Sequence, residues 1–62
     1  MNNELAELTD QQRATMWAYA LFRLLEEVEH GSHGDSWRLS ALKLAIDQAD
    51  LVKRYVGRML EA

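Results

Sequence analysis

The sequence predicts an all-α protein, an antiparallel two-helix hairpin, and three observations predict it. Apolar residues recur at alternating steps of three and four in two long stretches. Two of the three glycines, Gly31 and Gly34, sit together in the only turn-like segment and divide the chain nearly in half. No proline interrupts either stretch.

Each element can be placed from its own residues. Thr9, followed three residues later by Gln12, reads as an N-cap with its capping-box partner, and Asp10 complements the positive end of the helix dipole. Helix 1 is therefore expected over about 10–30, with a short helical turn over 4–8 capped by Asn3. Ala14, Trp17, Leu21, Leu24 and Val28 form its buried stripe, widened by Ala18 and Leu25. Gly31 is expected to end it as a left-handed C′ residue. After a loop over 31–35, Asp35 or Ser36 is expected to cap helix 2, which can run to about residue 60. Its stripe reads Leu42, Ala45, Ala49, Val52, Val56 and Met59, with Leu39, Ile46 and Leu60 on one flank. Gly57 is expected to permit close helix approach, because glycine in a helix interior otherwise costs up to about 1 kcal/mol relative to alanine.

Size and apolar pattern together imply a partner. A single core in 62 residues supplies roughly 3–5 kcal/mol at best, and without cysteine there is neither a disulfide framework nor a thiolate metal site to add to it. With Trp37, Leu44, Leu51 and Tyr55 included, the apolar positions of helix 2 cover roughly 240° of its circumference. One neighbouring helix hides about half of that. Met16, Tyr19 and Phe22 also lie outside the stripe of helix 1. The simplest solution is a homodimer, two hairpins forming a four-helix bundle with crossings of roughly 20°. The other is a monomer that keeps an apolar face for a foreign protein.

Composition excludes several classes. The longest uncharged run in the apolar middle, Ala14 to Phe22, is nine residues, far short of the ~20 that span a bilayer. The start, Met1-Asn2-Asn3-Glu4, carries acid where a targeting signal carries Lys or Arg, so a cytoplasmic location is expected, in the host if the gene is a phage's. No membrane partner is expected. A net charge of −3 argues against direct nucleic-acid binding, and a hydrophobic content of 48% argues against disorder. There is no cysteine nucleophile and no glycine-rich phosphate cradle, and Ser32, Ser36 and Ser40 lack a recognisable base; no enzyme activity is expected. His30 and His33, beside Glu29 and Asp35, offer nitrogen and oxygen donors. A Gly-flanked loop is poorly preorganised for the four ligands of a structural zinc site, so neither metal nor cofactor is expected. His30 is expected at the negative end of helix 1, and His33 is expected to be solvated.

Charge is divided unevenly between the halves. Residues 1–34 hold Glu4, Glu7, Asp10, Glu26, Glu27 and Glu29 against Arg13 and Arg23, a balance of −4. Residues 35–62 hold Arg38, Lys43, Lys53, Arg54 and Arg58 against Asp35, Asp47, Asp50 and Glu61, a balance of +1. Antiparallel pairing accounts for most of this by setting Lys53, Arg54 and Arg58 beside the acidic start of helix 1. Glu26, Glu27 and Glu29 remain, in the last turn of a helix whose dipole they oppose. With Asp35 they form an acidic knob at the loop end, suited to a partner protein with a basic surface. Trp17 is expected in the core. Trp37 is expected to close the hairpin over Val28 and Leu25 or to anchor a partner. Tyr19, Phe22, Trp37 and Arg38, of residue types enriched at binding hot spots, are the further interface candidates.

Two resemblances accompany this reading. Being small, acidic, cysteine-free and helical, the chain resembles in character the phage inhibitors of bacterial defence, among them the anti-CRISPR proteins. That implies a protein which binds and occludes a nucleic-acid-processing complex. In length, acidity and its pair of heptad-patterned helices the chain also resembles Rop, the plasmid copy-number regulator. That implies a dimeric RNA-binding or regulatory hairpin; the resemblance carries over no RNA-contacting residues, and the cations of helix 1, Arg13 and Arg23, about 80° apart, would be the contacts. A structural oligomerisation subunit is the remaining alternative.

Overall fold

A computed structural model describes residues 7–61 and holds two helices, α1 over Asp10–His30 and α2 over Asp35–Glu61. Asp10 at the start of α1 meets Arg58 near the end of α2 (Oδ2 to Nε, 3.3 Å), so the hairpin is antiparallel. The turn expected over 4–8 lies mostly outside the described residues, and Glu7 and Leu8 are not helical.

The start of α1 forms by the chemistry its sequence encodes. The Gln12 N–H donates to Thr9 Oγ1 (3.0 Å) and the Thr9 N–H donates to Gln12 Oε1 (2.8 Å), which completes the capping box. The other helix ends differ from expectation. Gly31 is not left-handed; its backbone is extended (φ −79°, ψ 163°), and its N–H donates to the Glu27 carbonyl at 2.8 Å. Glycine is required there by crowding. A Cβ would stand 2.5 Å from both the carbonyl and the carboxylate of Glu27 and 2.9 Å from the His33 ring. The cap of α2 is Gly34 rather than Asp35 or Ser36, since the Gly34 carbonyl accepts the Arg38 N–H (3.1 Å). Asp35 is thereby placed in the first turn, where its charge suits the helix dipole.

Packing between the helices is built on small residues. The buried residues among those described are Ala14, Ala41 and Ala45, and around them Trp17, Ala20, Leu21, Leu24 and Val28 of α1 and Gln48, Leu51, Val52, Tyr55 and Val56 of α2 are half-buried. The seam of α2 therefore differs from the expected stripe. It runs through Ala41, Ala45, Gln48 and Val52, a rotation of about 40° from the mean direction of the expected stripe, away from Leu42 and Ala49. The antiparallel register explains the choice. Counting back from the Asp10–Arg58 pair sets Leu21 level with residue 47 and Leu24 level with residue 44, so the leucines of α1 meet the stretch of the α2 seam that holds Ala41, Ala45 and Gln48, large against small, which lets the helix axes approach. Gln48 Oε1 is enclosed in this seam without a hydrogen-bond partner.

The result is a single layer of helices. Its extents are 41 × 31 × 15 Å, and its radius of gyration of 14.0 Å exceeds the roughly 10.6 Å of a compact domain of this length. Among the described residues nothing covers either broad side of the layer. No helix among the described residues is long and apolar enough to cross a membrane.

Candidate protein-interaction surfaces

Side-chain contacts distinguish the two broad sides of the layer. On one side, at the loop end, His33 Nε2 meets Glu27 Oε2 at 2.6 Å, and the His33 ring stacks on Trp37 with centroids 3.7 Å apart and planes 16° from parallel. An ionised carboxylate only accepts, so the imidazole donates. At the other end of this same side, the guanidinium groups of Arg13 and Arg58 each lie 5.8 Å from the centre of the Tyr55 ring, while Asp10 pairs with Arg58 and, at 4.0 Å, with Arg13. We call this the bridged face, because both clusters tie α1 to α2 or to the loop.

The opposite side is the open face. At 100° per residue, Ala18, Phe22 and Leu25 lie about 70–130° round α1 from the seam, on the flank away from Glu27 and Arg13. Leu39, Leu42, Ile46 and Ala49 lie about 70–150° round α2, on the flank away from Trp37 and Tyr55. Both flanks point to the same side of the layer. Its exposed residues include Ile46 (67%), Leu39 (63%) and Phe22 (55%), with Leu25 and Leu42 also above two-fifths. An apolar surface shared by both helices and spanning three turns of α2 exceeds the scattered single residues of ordinary protein surfaces.

The residues expected to meet a partner are distributed over more than one surface. Glu26, Glu27 and Glu29 fan out around α1, Glu27 being 100° from Glu26 and 160° from Glu29. They make a ring rather than one patch. Glu27 is engaged by His33, Glu29 lies 3.2 Å from His30 Nε2, and Asp35 is exposed at the start of α2. Trp37 does close the loop end, but through its stack on His33; Leu25, one of the residues it was expected to cover, is exposed. His33 is accordingly a structural side chain rather than a solvated one, two-thirds covered between Glu27 and Trp37. Phe22 belongs to the open face. Tyr19 and Arg23 lie on the outer side of α1, where Arg23 Nη1 donates to the Tyr19 hydroxyl at 3.2 Å and its guanidinium lies 5.9 Å from that ring. The Tyr19 contact, with help from Glu26 and Glu27, raises the Arg23 pKa above its already high ordinary value and keeps it charged. Arg38 is exposed. Gly57 admits no close approach, since a Cβ there would meet no atom within 4 Å.

Sequence reasoning set Leu39 and Ile46 on one flank of helix 2 but placed Leu42 and Ala49 in the buried stripe, where the structure exposes all four on one side. The signal was the excess apolar arc of helix 2, but the arc alone does not say which part the seam takes. Among the described residues no three His, Asp or Glu side chains converge as a metal-ligand set. A shallow hollow beside Gly57, lined by Asp50, Lys53, Arg54, Arg58 and Glu61, runs along the outside of α2 and mixes both charges. Compared with protein-family models, with curated proteins and with solved structures, the chain matches none.

Proposed function

We propose that this is a non-enzymatic protein-interaction protein, a helical hairpin that pairs into a dimer and acts by occupying the surface of another protein. One observation carries the reading. Among the described residues only three alanines are buried, while eleven large apolar side chains, from Met16 to Leu60, remain at least one-third exposed. A fold that leaves its largest apolar residues outside and its smallest inside is organised for association.

Sedimentation and affinity capture test this reading. The chain should self-associate at micromolar concentration and should retain a specific protein from its native host. A chain that stays monomeric at hundreds of micromolar and retains nothing would sink it. Within the reading, occlusion of a basic partner in the manner of a phage inhibitor rests on Glu26, Glu29 and Asp35, whose carboxylates are exposed at the loop end. Glu27 braces His33, so a clean test reverses Glu26 and Glu29 alone and asks whether binding of the captured partner falls.

A second reading, an RNA-binding hairpin, is favoured by the arginines packed on tyrosines, Arg13 and Arg58 about Tyr55 and Arg23 on Tyr19. Stacked guanidinium groups suit phosphate and base contacts. RNA binding that weakens steeply as salt rises would support it, and no binding at low salt would remove it.

A further inference from the structure

We infer that the open face is where a second copy of this chain docks, in an antiparallel two-fold register centred on Ile46, leaving the bridged face outermost. This rests on the interaction reading above and deepens it by naming the occupant and the contact.

Area supports a partner of this size. The chain exposes 5127 Å². A folded monomer of 7.2 kDa is expected to expose about 4,100 Å². The excess, about 1,000 Å², compares with the roughly 800 Å² that each partner contributes to a stable interface. Face-to-face stacking of two such layers gives a four-helix bundle, in which each helix gains a second neighbour and the unused arc of α2 is covered.

The sequence of the face is self-complementary about Ile46. A two-fold axis at Ile46 sets this residue against its own copy. It sets Leu42 opposite Ala49 of the other chain, large against small, and Leu39 opposite Lys53, whose aliphatic stem can lie over it. Lys43 and Asp50 lie on the same outer edge of the stripe, within 20° of each other on the helix and almost equally far from Ile46. Antiparallel pairing therefore brings each lysine to the aspartate of the other copy, twice per dimer. On α1 the same axis falls near Phe22, which the Asp10–Arg58 register sets level with Ile46, so the two exposed Phe22 side chains approach each other across it.

The bridged face offers no equivalent surface. Its middle carries Met16 and Leu44, but its ends are occupied by the Glu27–His33–Trp37 and Asp10–Arg58–Tyr55–Arg13 clusters, whose charged groups a docked layer would have to strip of water.

Because the chain has no cysteine, a single introduced thiol reports on the contact. Under mild oxidation Ile46→Cys should form a disulfide-linked dimer rapidly, while Leu44→Cys on the bridged face should not. Lys43→Asp should weaken self-association by about tenfold, and adding Asp50→Lys to it should restore the original affinity. Sedimentation of the unmodified chain separates the failures. A dimer that cross-links through Leu44→Cys and not Ile46→Cys overturns the proposed face but leaves an interaction protein. A chain that remains monomeric at hundreds of micromolar overturns the second-copy inference, and binding to a foreign protein then decides the broader reading alone.

Discussion

The seam between the helices and the open face beside it use opposite residue sizes on the same helix. On α2 the seam takes Ala41, Ala45, Gln48 and Val52, whereas Leu39, Leu42 and Ile46, one flank further round, are exposed. Hydrophobicity alone would assign them the other way, since a buried leucine or isoleucine contributes about 1.5–3 kcal/mol relative to an exposed one and alanine far less. The difference shows that the hairpin is shaped by how closely two helices can approach. Leu39, Leu42 and Ile46 are left exposed on the flank beside the seam.

The most direct way to break this division is to enlarge the seam. Ala45→Leu should destabilise the hairpin by about 1–3 kcal/mol, since added methylene groups force the axes apart, and urea melts followed by circular dichroism would show it. An unchanged midpoint would mean that the alanines do not set the spacing. By contrast, Gln48→Met removes the enclosed, unpartnered amide oxygen at similar volume and should stabilise by about 1 kcal/mol, a rise in Tm of roughly 4–8 °C. A fall in Tm would show that Gln48 finds a partner in solution.

Two smaller effects test the ends of the comparison. Thr9→Ala removes one half of the capping box and should cost about 1 kcal/mol, fraying the first turn of α1 and loosening the Asp10–Arg58 pair that fixes the register. Amide exchange at Gln12 and Arg13 would report it. Gly57→Ala, which meets open space, should stabilise by about 0.5–1 kcal/mol through helix propensity alone. Destabilisation there would restore the close-approach role that the structure does not give it.

Much of the fold was legible because it depends on local chemistry. Thr9 and Gln12 cap α1 through atoms three residues apart, and the glycine pair marks the link between the helices. Legibility ended where non-local geometry decides. Gly31 could be read as special, but the reason is contact with Glu27 and His33, not a left-handed backbone. His33 looked solvated because nothing adjacent in sequence announces a stack on Trp37 and a bond to Glu27 six residues back. The three loop-end glutamates read as one cluster along the chain, yet the helix turns them to different sides.

By itself, then, the sequence determined two amphipathic helices, the place where one ends and the next begins, and an apolar arc on α2 too wide for one neighbour. These follow from periodicity and capping, which involve residues within a few positions of each other. Only the tertiary structure decided which part of that arc faces α1. Helix packing is settled by complementary side-chain volume across the pair, so the small Ala41 and Ala45 take the seam, and Leu39, Leu42 and Ile46 are turned outward.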